Sequence, residues 1–156
     1  MPMLKLKVNG RDYEVDAGPT TTLLDVLRSK LMITGPKIGC NTGDCGACSV
    51  LLNGRLVKSC LVNALSASGK EVITIEGLAA PGQVHPLQKA FYEHYASQCG
   101  FCTPGMILAA KTLLDENPNP SEEEIRRGIA GNLCRCTGYT KIFESIKSAA
   151  ENMGGN

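Results

Sequence analysis

Hydrophobic and polar positions change period part-way along the chain. Leu4, Leu6 and Val8 alternate with Lys5 and Lys7, which predicts a strand with one buried face. Asn9-Gly10 follows as a turn signal, and Tyr13 and Val15 alternate on a return strand. Thr22 is placed to cap a short helix carrying Leu23, Leu24, Val26, Leu27 and Leu31. Residues 49–52, Asn53-Gly54 and residues 56–58 predict a second hairpin, and Val72, Ile73 and Ile75 a last short strand. Ala79-Ala80-Pro81-Gly82 reads as a linker. Beyond it the period is helical: Leu87, Phe91 and Tyr95 recur every four residues. Thr103-Pro104 reads as a cap followed by proline at the first helical position. Met106, Ile107, Ala110, Leu113 and Leu114 form that helix's core stripe, and Asn117-Pro118-Asn119-Pro120 ends it. Ser121 and Glu124 make a capping box for a helix bearing Ile125 and Ile129. A fourth helix carries Ile142, Phe143, Ile146 and Ala150, and residues 153–156 read as a frayed tail. The pattern divides the chain into a small α+β unit over residues 1–78 and a compact bundle of four short helices over residues 79–156.

Composition narrows the function classes. A hydrophobic fraction of 43% and a charged fraction of 20% suit a globular protein with real cores. A formal net charge of +1 gives no footprint for nucleic acid or an anionic membrane. No apolar run approaches the ~20 residues that span a bilayer. The first residues lack a basic region followed by an apolar stretch, so a cytoplasmic location is expected. In a reducing compartment eight cysteines point to metal ligation rather than disulfides.

The cysteines fall into two unlike sets. Cys40, Cys45, Cys48 and Cys60 are spaced C-x4-C-x2-C-x11-C. The opening C-x4-C-x2-C is the plant-type spacing for a [2Fe–2S] cluster. Gly43 and Gly46 let that loop curl, so that backbone N–H groups can face sulfurs. A zinc site more usually takes a short knuckle from each of two segments. Cys99, Cys102, Cys134 and Cys136 are spaced C-x2-C-x31-C-x1-C, two pairs from two segments, so zinc stays open there on spacing alone. Both pairs stand before expected helix starts, whose free N–H groups favour thiolates.

Three stretches carry a family resemblance: Gly39 through Cys48, Gln98-Cys99-Gly100-Phe101-Cys102-Thr103-Pro104-Gly105, and Gly131-Asn132-Leu133-Cys134-Arg135-Cys136-Thr137-Gly138-Tyr139. In order and over nearly the whole chain, they resemble the iron–sulfur subunit of the molybdenum hydroxylases, the family of xanthine dehydrogenase and aerobic carbon monoxide dehydrogenase. The resemblance implies a β-grasp ferredoxin-like domain followed by a four-helix bundle domain, each with one [2Fe–2S] cluster on its four cysteines. It implies a large partner subunit with molybdenum on a molybdopterin cytosine dinucleotide, a medium subunit with FAD, and a dimer of heterotrimers. It places the helical-domain cluster nearest the pterin, with Gln98 and Cys136 in contact with it. Electrons then run from molybdenum through the two clusters to FAD. No nucleophile, acid or base is expected on this chain. His85 and His94 read as surface or packing residues, and Arg135 either tunes a cluster, meets a partner carboxylate or is simply solvated. A free-standing two-cluster ferredoxin and a zinc-stabilised binding module are the alternatives.

Overall fold

The computed structural model describes residues 1–154. Strand β1 (Met3–Val8) buries Leu4, Leu6 and Val8 and exposes the residues between them. It pairs antiparallel with β2 (Arg11–Asp16), Leu6 facing Tyr13. Asn9 and Gly10 make this turn at φ 50° and 82°, both positive as a two-residue type I′ hairpin needs. Asn53 and Gly54 repeat the device, at 48° and 79°, between β3 (Ser49–Leu52) and β4 (Arg55–Lys58). Strand β5 (Glu71–Ile73) lies parallel to β1 and antiparallel to β3, giving the order β2-β1-β5-β3-β4. Helix α1 (Leu23–Asp25) continues into a wider π-helical turn (Val26–Lys30). Leu23, Val26 and Leu27 pack on Leu4, Leu6, Val8, Val50 and Val72 to form the core of this half. Thr22 and Asp25 cap it reciprocally, at 3.1 Å and 3.0 Å.

Ile75 is not in the last strand. The Asn9 side chain accepts the Thr74 N–H at 2.9 Å and donates to the Thr74 hydroxyl at 2.8 Å. That closes the ladder at Ile73, and the chain turns into a short 3₁₀ helix (Ile75–Gly77).

Four helices follow: α2 (Pro86–Glu93), α3 (Thr103–Glu116), α4 (Glu122–Gly128) and α5 (Thr140–Gly154). Leu87, Phe91, Met106, Ile107, Ala110, Ile125, Ile129, Ile142 and Ile146 share one core. The Met106-Ile107 stripe is core, as its spacing predicts. Three local expectations need correction. Tyr95 is 79% exposed and outside the helix, because α2 ends in a Schellman turn: the N–H groups of Tyr95 and Ala96 bond Tyr92 O and Phe91 O, with Tyr95 at φ 57°. Cys102, not Thr103, is the residue that precedes α3, and the Thr103 hydroxyl donates to Ser97 Oγ at 3.0 Å instead. Helix α5 runs on through Met153 and Gly154, which are therefore not a loose tail, while Gly155 and Asn156 lie outside the described residues.

The Ser121–Glu124 capping box is present, at 3.2 Å and 2.6 Å. Ser121→Ala should lower stability by about 1 kcal/mol, read from thermal unfolding. Among the described residues no helix is long and apolar enough to cross a membrane.

Candidate metal centres

The loop that follows α1 brings Cys40, Cys45 and Cys48 together, and β4 delivers Cys60 to them. Backbone N–H groups of Thr42, Asp44 and Cys45 point at Cys40 Sγ at 3.3–3.4 Å, and those of Cys40 and Ala47 at Cys45 Sγ at 3.4 Å and 3.5 Å. Gly43 and Gly46 take φ 83° and 75°, the curl expected of them. Cys48 and Cys60 are buried together against Leu24. Cys40 lies close enough to Cys60 to act on its charge.

The second set assembles from two segments. Cys102 meets Cys134, and Cys99 meets Cys136. The Thr137 hydroxyl and N–H both point at Cys134 Sγ, at 3.1 Å and 3.4 Å. Cys99 and Cys136 are exposed, Cys102 and Cys134 half-buried. Gln98 is exposed beside Cys99. Arg135 is exposed between two cysteines and makes no ion pair among the described residues. Neither histidine reaches a cysteine set among the hydrogen bonds found. His85 starts α2, its Nδ1 accepting the Leu87 N–H at 3.1 Å, and His94 ends it.

These residues fit a two-metal, sulfur-bridged group. The thiols meet in pairs, which is what two irons with two thiolates each require, and N–H groups surround the sulfurs.

The surroundings set the thiols apart. The Thr42 hydroxyl and the N–H groups of Cys45, Thr42 and Asp44 hold Cys40 down at about 5. That hydroxyl also donates to Asp44 Oδ2 at 2.6 Å, so the three N–H groups are the firmer cause. Burial pushes Cys60 up to about 11, helped by Cys48, and Cys102 up to about 12, helped by Cys134. Burial opposes ionisation of Cys134 too, but the Thr137 hydroxyl and N–H outweigh it and its net shift is downward. In iron-free protein at pH 7, Cys40 is thiolate, while Cys102 is thiolate in about one molecule in 100,000. The weaker nucleophilicity of a low-pKa thiolate takes back about three of those five decades. Iodoacetamide should therefore modify Cys40 roughly a hundredfold faster than Cys102. Equal labelling in a peptide mass map would contradict this.

The two sets touch through backbone. Leu133 N–H donates to Cys45 O at 2.9 Å, joining a residue beside Cys134 to a cysteine of the other set. Asn132, only 4% exposed, donates to Gly46 O at 3.1 Å, and Lys58 Nζ donates to Gly131 O at 2.9 Å. Gly105 at the start of α3 lies so near Gly46 O that a Cβ would collide with it. Sequence reasoning did not find this junction. Its one signal was a pair of glycines, Gly105 and Gly131, beside the cysteine motifs.

Comparison with known proteins matches the "2Fe-2S iron-sulfur cluster binding domain" to residues 6–74 and the "[2Fe-2S] binding domain" to residues 74–147. The chain is 47% identical to the nicotinate dehydrogenase small FeS subunit of Eubacterium barkeri, over 95% of this chain and 94% of that one. It is 44% identical to the nicotine 6-hydroxylase small subunit of Paenarthrobacter nicotinovorans, over 97% and 91%. Among solved structures, quinoline 2-oxidoreductase from Pseudomonas putida superposes with a TM-score of 0.94 at 41% identity, covering 99% of this chain and 97% of that one. Aldehyde oxidoreductase from Desulfovibrio desulfuricans gives 0.94 at 45% identity, over 99% of this chain but 17% of that longer one.

Proposed function

The chain belongs to the small iron–sulfur subunits of the molybdenum hydroxylase family, and from that premise we propose how its two cysteine sets serve a larger oxidoreductase. Its work is electron transfer, and it carries two [2Fe–2S] groups. Cys40, Cys45, Cys48 and Cys60 hold one, on an α+β unit of residues 1–78 with the β-grasp topology. Cys99, Cys102, Cys134 and Cys136 hold the other, on residues 79–156, whose four helices act as a bundle. Each group, when bound, supplies a reversible one-electron change.

The chain's residues bind these groups, aim N–H dipoles at their sulfurs and fix the gap between them. The observation that carries the reading is the Leu133 N–H···O=C Cys45 bond of 2.9 Å, which joins the two ligand loops directly. At the helical end, exposed Cys99, Cys136 and Gln98 are available to a partner. There a large subunit presents molybdenum on a molybdopterin cytosine dinucleotide, contacted by Gln98 and Cys136. At the other end, a medium subunit presents FAD. Two-electron oxidation at molybdenum is thereby emptied one electron at a time. The assembly is a cytoplasmic dimer of heterotrimers, and no side chain here performs substrate chemistry.

Purification from the native cell tests this. The expected product is a red-brown complex that contains a large molybdenum subunit, a medium FAD subunit, and two distinct [2Fe–2S] electron paramagnetic resonance signals. A colourless zinc protein, or a monomer with full clusters and no partner, would sink the reading.

A further inference from the structure

Resting on that reading, we propose that Tyr139 is a positioning residue whose hydroxyl fixes the Leu133-Cys134 backbone. It thereby sets both the potential of the helical-half group and its coupling to the other. Tyr139 adopts φ 71°, where a bulky side chain is a genuine outlier. Such backbone persists only where the surroundings over-determine it, and it concentrates at functional positions. Here the surroundings are explicit. Tyr139 N–H donates to Thr137 Oγ1 at 3.1 Å, and Tyr139 O accepts the Phe143 N–H at 2.9 Å as α5 begins. Its ring stacks on Phe143, 6.2 Å between centroids and 21° between planes. Arg126 covers the Phe143 ring from 4.4 Å and is itself held by Glu122 at 2.7 Å. Tyr139 thus stacks on α5 through Phe143, which α4 in turn covers through Arg126.

This arrangement has an output. Tyr139 Oη accepts the Cys134 N–H at 2.9 Å. The preceding N–H, that of Leu133, goes to Cys45 O. Two consecutive amides are therefore pulled two ways, one toward the other cysteine set and one onto Tyr139. Thr137 Oγ1 completes the loop, accepting from Tyr139 N–H while donating to Cys134 Sγ. Cys134 is held at its amide by the phenol and at its sulfur by the threonine that the same tyrosine orients. Removing the hydroxyl frees an N–H dipole beside an anionic sulfur group. Hydrogen bonds at sulfur tune such potentials, and an added donor favours the reduced, more negative state.

Tyr139→Phe in the assembled complex tests this, with the unsubstituted complex beside it. Iron content and the ferredoxin-half signal should stay unchanged. The helical-half signal should change its g-values and move to higher midpoint potential, and electron passage between the groups, followed by rapid freeze-quench, should slow several-fold. Phe143→Leu separates the hydroxyl from packing: it loosens the ring but keeps the phenol, so it should lower the melting temperature and move the helical-half potential by less than Tyr139→Phe does. Selective loss of the helical-half group in Tyr139→Phe, with a melting loss no greater than that of Phe143→Leu, also supports positioning. Unchanged or lowered potential in Tyr139→Phe, an equal shift in Phe143→Leu, or loss of both groups would overturn it. Absence of two [2Fe–2S] signals in the unsubstituted complex would instead overturn the functional reading.

Discussion

Gly46→Ala is expected to part the two halves of the chain and to cost about 2–5 kcal/mol, the left-handed penalty added to that of overpacking. Gly46 sits at φ 75°. A Cβ there would press into the Gly131 carbonyl oxygen and come within 2.6 Å of Asn132 Nδ2. Both atoms belong to the helical half, and both are committed. Gly131 O accepts from Lys58 Nζ, and Asn132 Nδ2 donates to Gly46 O itself. The backbone cannot retreat without opening that latch, and the Leu133–Cys45 bond lies one residue away on each side. Amide exchange at Leu133 should become fast, and the melting temperature should fall. Gly105→Ala is the comparison. Its Cβ would meet Gly46 O and lie 3.2 Å from Asn132 Nδ2, but a helical glycine carries no left-handed penalty. About 1–3 kcal/mol is expected there. A Gly46→Ala protein that melts like its parent, with Leu133 still protected, would show slack in the junction.

That junction marks the boundary of what the sequence could be made to say. The hairpins at Asn9-Gly10 and Asn53-Gly54 were readable because the turn type is written in two adjacent residues. The cap at Thr22 and the capping box at Ser121 were readable because their signals lie within one helical turn, whereas the reciprocal Asp25 of Thr22 appears only in the structure. The cysteine sets were readable because ligand spacing constrains a short loop. Gly46 was read only as a curl for sulfur, although its second task is to let α3 and Asn132 approach. That task depends on residues some sixty and eighty-six positions away, which no local period encodes. Tyr95 and Ile75 were misplaced for a related reason. Each continues its period past the point where a cap or the Asn9 side chain stops the element. Tyr139 closes the third cysteine motif with no role that its sequence neighbours encode, because that role lies in its hydroxyl's bond to the Cys134 amide.

Cys48→Ala is expected to remove one [2Fe–2S] group and spare the other, so that iron content falls by about half. The Cys48 side chain is 3% exposed and packs with Leu24 and Cys60, so alanine leaves a small void and no clash. That void costs about 1 kcal/mol. The backbone is kept in place from elsewhere, since Cys48 O accepts the Ser59 hydroxyl at 2.7 Å. Three thiolates remain where four are required. The helical set is joined to this one by the Leu133–Cys45, Asn132–Gly46 and Lys58–Gly131 bonds, none of which uses a cysteine side chain. In the complex, substrate should still reduce the helical-half group, while turnover with the external acceptor is lost. Cys102→Ala should give the mirror result. Its thiol, pushed up to about 12 by burial and Cys134, needs the group's positive irons to ionise, and alanine abolishes that site alone. Substrate should then fail to reduce the surviving ferredoxin-half group, although dithionite reduces it. The pair of variants reads the direction of flow. If electrons entered at the Cys40 end, Cys48→Ala would be the variant that substrate cannot reduce, and the order proposed for the two sites would be reversed.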